Sequence, residues 1–320
     1  MTARSSVLVK IGVPLVAAAT LLPWVSAGTA LVAGIAIALT VGNPWPELAR
    51  ALARRTLMWS VVGLGAGMNL AVVGRVGLHG LGYTAIGIVC ALGLGTLLGR
   101  RLGVGRDVSL LVSVGTAICG GSAIAAVAPV IRAKEHDVSI ALATVFLLNA
   151  VALLAFPVIG RQLGMAPDAF GLWSALAIHD TSSVVGAAAQ YGPRALEVAT
   201  AAKLARALWI VPVGLGIALH RRRSAAFGAA PAARPKLPWF IVGFVAMAAL
   251  FTWCPALHPV GEVVTGAAHR VLAATLFLIG LGLSRPALRT LGVRPLVQAI
   301  ALWFLLAAGT LGAILLGWIA

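Results

Sequence analysis

Two cations three residues apart stand in an otherwise apolar run, Ala201-Ala202-Lys203-Leu204-Ala205-Arg206-Ala207. On a helix they share one face, with Cβ atoms about 5–6 Å apart. Each costs about 2.5–3.5 kcal/mol at the centre of a bilayer-spanning helix, so the pair needs partners. Arg194 marks the outer end of this run, which puts Lys203 and Arg206 roughly 14 and 18 Å below it. The acidic group at that depth is Asp180, with His179 beside it and Asn149 on the preceding run. One carboxylate cannot neutralise two cations, and a bound anion supplies the missing charge. The planar fork of Arg206 suits two anion oxygens, and Lys203 adds a second positive charge. The structural alternative is an Asp180–Lys203 or Asp180–Arg206 pair that ties two helices together while the other cation snorkels. His179 is either a hydrogen-bonded core residue or, next to Asp180, a proton carrier.

Two runs that lead to this depth are interrupted. The first holds Gly115-Thr116-Ala117-Ile118-Cys119-Gly120-Gly121-Ser122-Ala123-Ile124-Ala125-Ala126, the second Ala177-Ile178-His179-Asp180-Thr181-Ser182-Ser183-Val184-Val185-Gly186. Shifted by 60 residues they superimpose, Ile118 on Ile178 and Ser122 on Ser182, which marks an internal repeat. Both breaks lie roughly 17–22 Å from the start of their runs, near the middle of a membrane. Gly and small hydroxyl residues let a helix unwind, and Ser or Asp can cap its second half. Half-helix N-termini bind anions, and unwound backbone at that depth must be buried in protein or line a cavity. Paired broken helices point to the substrate site of a secondary transporter. The plainer reading makes Gly120-Gly121 a close-packing patch and lets Ser182-Ser183 bond back to the preceding turn.

The elements that must hold these residues follow from composition. Of 320 residues, 61% are hydrophobic and 10% charged, with a mean hydropathy of +1.03. That leaves too little polar surface for a water-facing globule. The chain reads as an all-α polytopic membrane protein, a single membrane domain over 1–320. Eleven candidate spans lie at about 7–24, 26–42, 55–74, 79–99, 107–131, 137–160, 167–190, 195–220, 238–254, 262–283 and 294–318. Ten remain if the first is a cleaved signal ending near Val25-Ser26-Ala27. Helix groups 7–220 and 238–318 are joined by a basic linker, 221–237, with affinity for anionic lipid.

The balance of 24 Lys+Arg against 8 Asp+Glu gives +16. With the N-terminus inside, Arg106, Arg161 and 15 others fall on the cytoplasmic side. Arg75, Arg132, Lys134, Arg194 and Arg270 fall outside, and Lys203 and Arg206 fall within a span. This positive-inside split accounts for the charge without nucleic acid and places the C-terminus outside. Cys90, Cys119 and Cys254 sit singly in apolar runs and read as packing residues, with no metal-site spacing. Gly95 and Gly99, four apart, form a small-residue face for packing within or between chains, the latter giving a homo-oligomer. A second symmetry aligns Gly67, Asn69 and Gly77 with Gly282, Ser284 and Gly292 at an offset of 215, on spans that run in opposite directions. That is the mark of inverted repeats. It does not combine with the 60-residue repeat into a simple five-plus-five duplication.

Gly115 to Pro129, Ala143-Thr144-Val145-Phe146-Leu147-Leu148-Asn149, Ala177 to Ala187 and Lys203-Leu204-Ala205-Arg206-Ala207-Leu208-Trp209 resemble, in order, the YeiH-type sulfate-exporter family of bacterial inner-membrane proteins. Lys236-Leu237-Pro238-Trp239-Phe240 resembles the start of that family's second half, while Gly121 stands where Ala is common. The resemblance covers nearly the whole chain. It implies a fold related to bile-acid-type carriers, with inverted repeats and crossing broken helices, and a transporter in the bacterial inner membrane.

These readings converge on a secondary transporter of a small anion, such as sulfate or an organosulfonate. Lys203, Arg206, Cys119, Gly120, Gly121, Ser122, Thr181, Ser182, Ser183 and Asn149 are the expected binding residues. Asp180 and His179 are expected to couple flux to a proton or Na+, with Asp180 pairing Lys203 when the site is empty. A passive anion channel, a carrier of another small metabolite and an intramembrane enzyme are the alternatives. No catalytic residue or cofactor is expected, since His179 and Asp180, one apart, do not face each other on a helix and no Walker, zinc-protease or Gly-x-Ser-x-Gly motif is present.

Overall fold

The computed structural model describes residues 12–68, 70–224, 239–282 and 292–319. Arg4, Lys10, Asn69, Ser284, Arg285, Arg289 and most of the linker, with Arg234 and Lys236, lie outside the described residues. Among the described residues all regular structure is helical, with no strand. The helices are α1 (residues 12–19), α2 (Ala27–Thr40), α3 (Pro46–Leu64), α4 (Leu70–Arg101), α5 (Arg106–Ala117), α6 (Gly121–Ile131) and α7 (Glu135–Gln162). They continue as α8 (Pro167–Ala177), α9 (Thr181–Tyr191), α10 (Pro193–Ala207), α11 (Ile210–Ser224), α12 (Trp239–Trp253), α13 (His258–Gly282) and α14 (Val293–Leu315). Pro46, Pro167 and Pro193 open three of them at a position whose N–H has no helical partner. Five segments are long and apolar enough to cross a membrane: Gly82–Arg101 of α4, α7, Pro193–His220 across α10 and α11, Pro255–Gly282 and α14.

The chain forms two compact units, Met1–Val73 with Trp239–Arg289, and Gly74–Pro238 with Thr290–Ala320. They interleave along the sequence instead of dividing at the linker, and the boundary falls inside α4. Residues 221–224, assigned to the linker from sequence, are the last turn of α11.

In the first unit α3 and α13 run antiparallel, Thr275 Oγ1 donating to Thr56 Oγ1 at 2.7 Å and Gly67 lying against Thr265. α2 runs beside α13 in the same direction. Arg270 donates to the Pro23 carbonyl at 2.8 Å before α2, and Asn43 Nδ2 to the Leu281 carbonyl at 3.2 Å after it. α12 runs beside α3 likewise, from the Trp59–Trp239 ring contact at 5.0 Å to Gly65 against the Phe244 carbonyl. Gly65 and Gly280, 215 apart, hold equivalent places. A β-carbon on either would stand 2.5 Å from a carbonyl oxygen of the neighbouring helix, so only glycine admits the contact. The offset of 215 is therefore a structural repeat that relates α2–α3 to α12–α13.

In the second unit the 60-residue repeat is equally plain: α6 covers 121–131 and α9 covers 181–191, each behind a three-residue break. The sequence reading of these runs as crossing spans is corrected. Phe170, in the first turn of α8, stacks on Tyr191, the last residue of α9, with ring centroids 3.8 Å apart. Asp168 of α8 pairs with Arg194 of α10 at 2.6 Å. Two eleven-residue helices in line would separate Phe170 and Tyr191 by roughly 30 Å; instead α8 and α9 form a hairpin that returns to the face it left. α5 and α6 also reverse. Gly115 packs on the side chain of Ile124, nine residues on, which in one helix would be about 13 Å away.

The hairpins approach from opposite faces. Along α14, Gln298 Nε2 donates to Ser109 Oγ at the root of α5 (2.9 Å), Trp303 lies 6.4 Å from His179 at the second hairpin's tip, and the Ala307 carbonyl accepts from Trp173 Nε1 of α8 at 3.0 Å. α7 reads the same way, with Phe146 at Gly121, Asn149 at Asp180, and Phe156 stacked on Trp173. Each repeat is one hairpin plus one crossing helix, α5–α6–α7 and α8–α9–α10–α11. One crossing per repeat inverts the second relative to the first. α4 and α14 also run in opposite directions, the end of α4 at Gly99 and the start of α14 at Gln298 both meeting Ser109. Gly95 and Gly99 thus pack within the chain, against Ser113 and Ser109.

This geometry moves charges. Arg132 and Lys134, assigned outside from sequence, share a face with Arg100, Arg101, Arg106, Arg294 and the arginines ending α11, whereas Arg161, assigned inside, shares the opposite face with Arg194. Of the three cysteines Cys119 is buried, but Cys90 and Cys254 are exposed and do not pack the core.

Candidate functional site

The two tips meet at Gly120 and Asp180. Gly120 has φ +65°, and a β-carbon there would stand 3.0 Å from Asp180 Cβ and 3.1 Å from its Cα. Glycine thus provides both the left-handed turn and the close approach. Ile118, Cys119 and Gly120 form the first break; Ile178, His179 and Asp180 form the second.

Four half-helices end here, two with their N–H ends (α6 and α9) and two with their carbonyl ends (α5 and α8). The carbonyl ends are held by the buried cations. Lys203 Nζ donates to the carbonyls of Ile178 (2.7 Å) and Ala175 (3.3 Å). Arg206 donates from Nε to Ala117 (2.7 Å), from Nη2 to Thr116 (3.1 Å), and from Nη1 to Ala175 (3.2 Å) and Leu176. Its guanidinium therefore bridges both tips and offsets the partial negative charge that gathers at helix C-termini. Lys203 is 0% and Arg206 4% exposed.

The N–H ends differ from each other. Asp180 caps α9, its Oδ2 accepting from the Ser182 N–H at 3.0 Å and from the Ser182 hydroxyl, as the sequence led one to expect of an Asp at the restart. No side chain caps α6, so Ser122 does not play the matching part. The expected Asp180–Lys203 pair is absent. Ion pairs among the described residues include Glu47–Arg50, Asp168–Arg194 and Glu197–Arg194, whereas Asp180 is engaged with the start of its own helix. Asn149 Oδ1 accepts the Asp180 N–H at 3.1 Å, while its Nδ2 is buried without a partner. Both ring nitrogens of His179 are likewise buried and unpartnered.

All twelve residues singled out from sequence therefore lie at or next to the tips. Gly121, Thr181, Ser182 and Ser183 are buried in the first turns of α6 and α9, Ser122 is exposed and Asp180 half-buried. Three features escaped the sequence reading. Trp303 reaches the second tip from α14. The cations meet carbonyls instead of carboxylates. The helix of Lys203 and Arg206 itself breaks at Leu208-Trp209; Pro212, which lacks an N–H and crowds the carbonyl four residues back, was the available signal. Among the described residues no three His, Cys, Asp or Glu side chains lie close enough to hold a metal ion.

A family model described as conserved hypothetical protein 698 matches residues 8–299. The chain is 56% identical over 312 residues to UPF0324 membrane protein Bd1437 of Bdellovibrio bacteriovorus, covering 97% of this chain and 95% of the relative. It is 47% identical to UPF0324 membrane protein GSU2818 of Geobacter sulfurreducens (93% and 94% covered) and 44% identical to a UPF0324 membrane protein of Bacteroides thetaiotaomicron (91% and 87%). No solved structure matches it. With its apolar helices and nearly full-length likeness to these proteins, the chain belongs to the UPF0324 membrane protein family.

Proposed function

We propose that this protein is a secondary carrier of a small anion, with sulfate or an organosulfonate as first candidates, in the bacterial inner membrane. The observation that carries the reading is the meeting, in the core of the second unit, of two half-helix N-termini and two buried cations that form no ion pair. With Lys203, Arg206 and Asp180 ionised, the tips hold one uncompensated positive charge. A buried net charge is costly, and an anion at the N–H ends of α6 and α9 relieves it.

Lys203 and Arg206 then act chiefly by supplying field and holding the tips. Contact with the anion falls to the N–H groups of Gly121 and Ser122, to the Ser122 hydroxyl and to Asn149 Nδ2. Asp180 couples flux to protons or Na+, because neutralising its carboxylate changes both the charge at the tips and the cap on α9. The basic face formed by Arg100, Arg101, Arg106, Arg132, Lys134 and Arg294 faces the cytoplasm and lies against anionic headgroups. On this reading the protein is a carrier and not an enzyme, with Asp180 committed to capping a helix.

Exchange of radiolabelled sulfate into proteoliposomes preloaded with unlabelled sulfate tests the reading, with sulfite, thiosulfate, taurine and phosphate as competitors. Saturable counterflow is expected; flux without counterflow would indicate a channel. Folded protein that exchanges none of these anions overturns the assignment. For coupling, Asp180→Asn is informative, since Asn still caps a helix but does not titrate. Wild-type flux should follow an imposed pH or Na+ gradient and the variant's should not. Indifference of the wild type to both gradients overturns the coupling role.

A further inference from the structure

His179 and Trp303 are polar rings with nothing to bond. His179 is 1% exposed and both its nitrogens lack a partner; Trp303 Nε1 is buried and equally unpartnered. Their ring centroids lie 6.4 Å apart at an interplanar angle of 63°, and the two rings, though neighbours, do not hydrogen-bond each other. Burying a donor without a partner costs about 1–3 kcal/mol, and here two such groups come from different elements, the second hairpin's tip and α14. The surrounding rings do not relieve them. Trp303 packs on Phe156 at 6.0 Å, and Phe156 on Trp173 at 4.1 Å; Phe156 has no polar atom and the Trp173 N–H is already used on the Ala307 carbonyl. One acceptor oxygen held between two neighbouring N–H donors, about 2.9 Å from each, would give both a partner.

We propose that His179 and Trp303 are substrate-contacting, specificity-determining residues: the imidazole and indole N–H groups converge on one oxygen of the transported oxyanion. This rests on reading the tips as an anion site. It moves His179 from coupling to binding and adds a residue from α14. His179 precedes Asp180 and the first turn of α9, so an anion seated at that N-terminus can present one oxygen toward α14 while others face the backbone N–H groups. An anion without several acceptor oxygens cannot satisfy both sets, which favours sulfate and sulfonates over halides.

The test uses full-length protein in proteoliposomes, with labelled sulfate and labelled taurine as probes. Trp303→Phe keeps the ring packing and removes one N–H; His179→Gln is the companion variant, and thermal unfolding checks that both are folded. The KM for the exchanged anion should rise roughly tenfold or more in Trp303→Phe, as for loss of a hydrogen bond to a charged acceptor. Vmax should stay within about twofold of wild type, and excess chloride should compete better than it does against wild type. A KM within about twofold of wild type, with an unchanged competitor order, overturns the proposal and leaves the pair to a structural water. If wild-type protein exchanges neither probe, it is the anion reading that fails, a result told apart by the wild-type trace alone.

Discussion

Arg206 joins two backbones: one guanidinium reaches carbonyls of both hairpin tips. Lysine has the charge but not the fork. Arg206→Lys is therefore expected to lose one tip, lowering stability by about 1–3 kcal/mol and exchange by at least tenfold, measured by thermal unfolding in detergent and by counterflow. Retention of both would return Arg206 to a bystander. At Gly120 a methyl group meets strain and contact together, φ +65° and Asp180 at 3.0 Å, so Gly120→Ala should cost about 1–3 kcal/mol. Gly121→Ala meets the end of the half-exposed Phe146 ring at 3.0 Å and Leu142 Cδ2 at 3.4 Å, side-chain ends rather than backbone, and should cost much less. At this scale the sequence was informative. Buried charges in an apolar run announce themselves, as do a His-Asp pair and a double glycine. The partners of Lys203 and Arg206 did not, because a backbone carbonyl has no letter in the sequence and every residue carries one. Trp303 was hidden likewise, since nothing in its neighbourhood marks it as near residue 179.

The elements were legible as apolar runs with breaks, and the breaks fell within one or two residues of the Gly120-Gly121 and His179-to-Ser182 clusters, at 118–120 and 178–180. Whether a broken run continues or returns was not legible, because hydropathy records how apolar a segment is and not its direction. The deciding contacts are Phe170 with Tyr191 and Asp168 with Arg194, pairs 21 and 26 residues apart that no local pattern exposes. Cysteines at Asp168 and Arg194 should be joined by a short thiol-reactive cross-linker in the folded protein. Failure to cross-link in a stable double variant would restore the crossing span. The hairpins also reverse the sides assigned to Arg132, Lys134 and Arg161. Lys134→Cys and Arg194→Cys, both outside under a count of eleven crossings, should label from opposite faces, Lys134→Cys only from the cytoplasm and Arg194→Cys only from outside.

For the whole molecule the two repeats that refused to combine are parts of one arrangement. The offset of 215 relates α2, α3 and α4 to α12, α13 and α14; the offset of 60 relates α5–α7 to α8–α11. The first half runs three helices and then hairpin with crossing helix, while the second runs them in the other order. A single shift cannot superimpose the halves, which is why a five-plus-five duplication failed. α14 leads away from the basic face, so alkaline phosphatase fused after Ala320 should be active and a fluorescent protein there dark; the reverse pattern would invert the molecule. The permuted order also sets a timetable for synthesis. α3 ends at Leu64 and its main partner, α13, begins at His258, so roughly 200 residues must be made before the two can meet. At about 5–20 residues per second, α2 and α3 wait in the bilayer for some ten to forty seconds with Gly65 and its neighbours facing lipid. A ribosome that stalls just before α12 would leave those helices unmatched and exposed to membrane proteases, although the hairpins and their crossing helices had already been made.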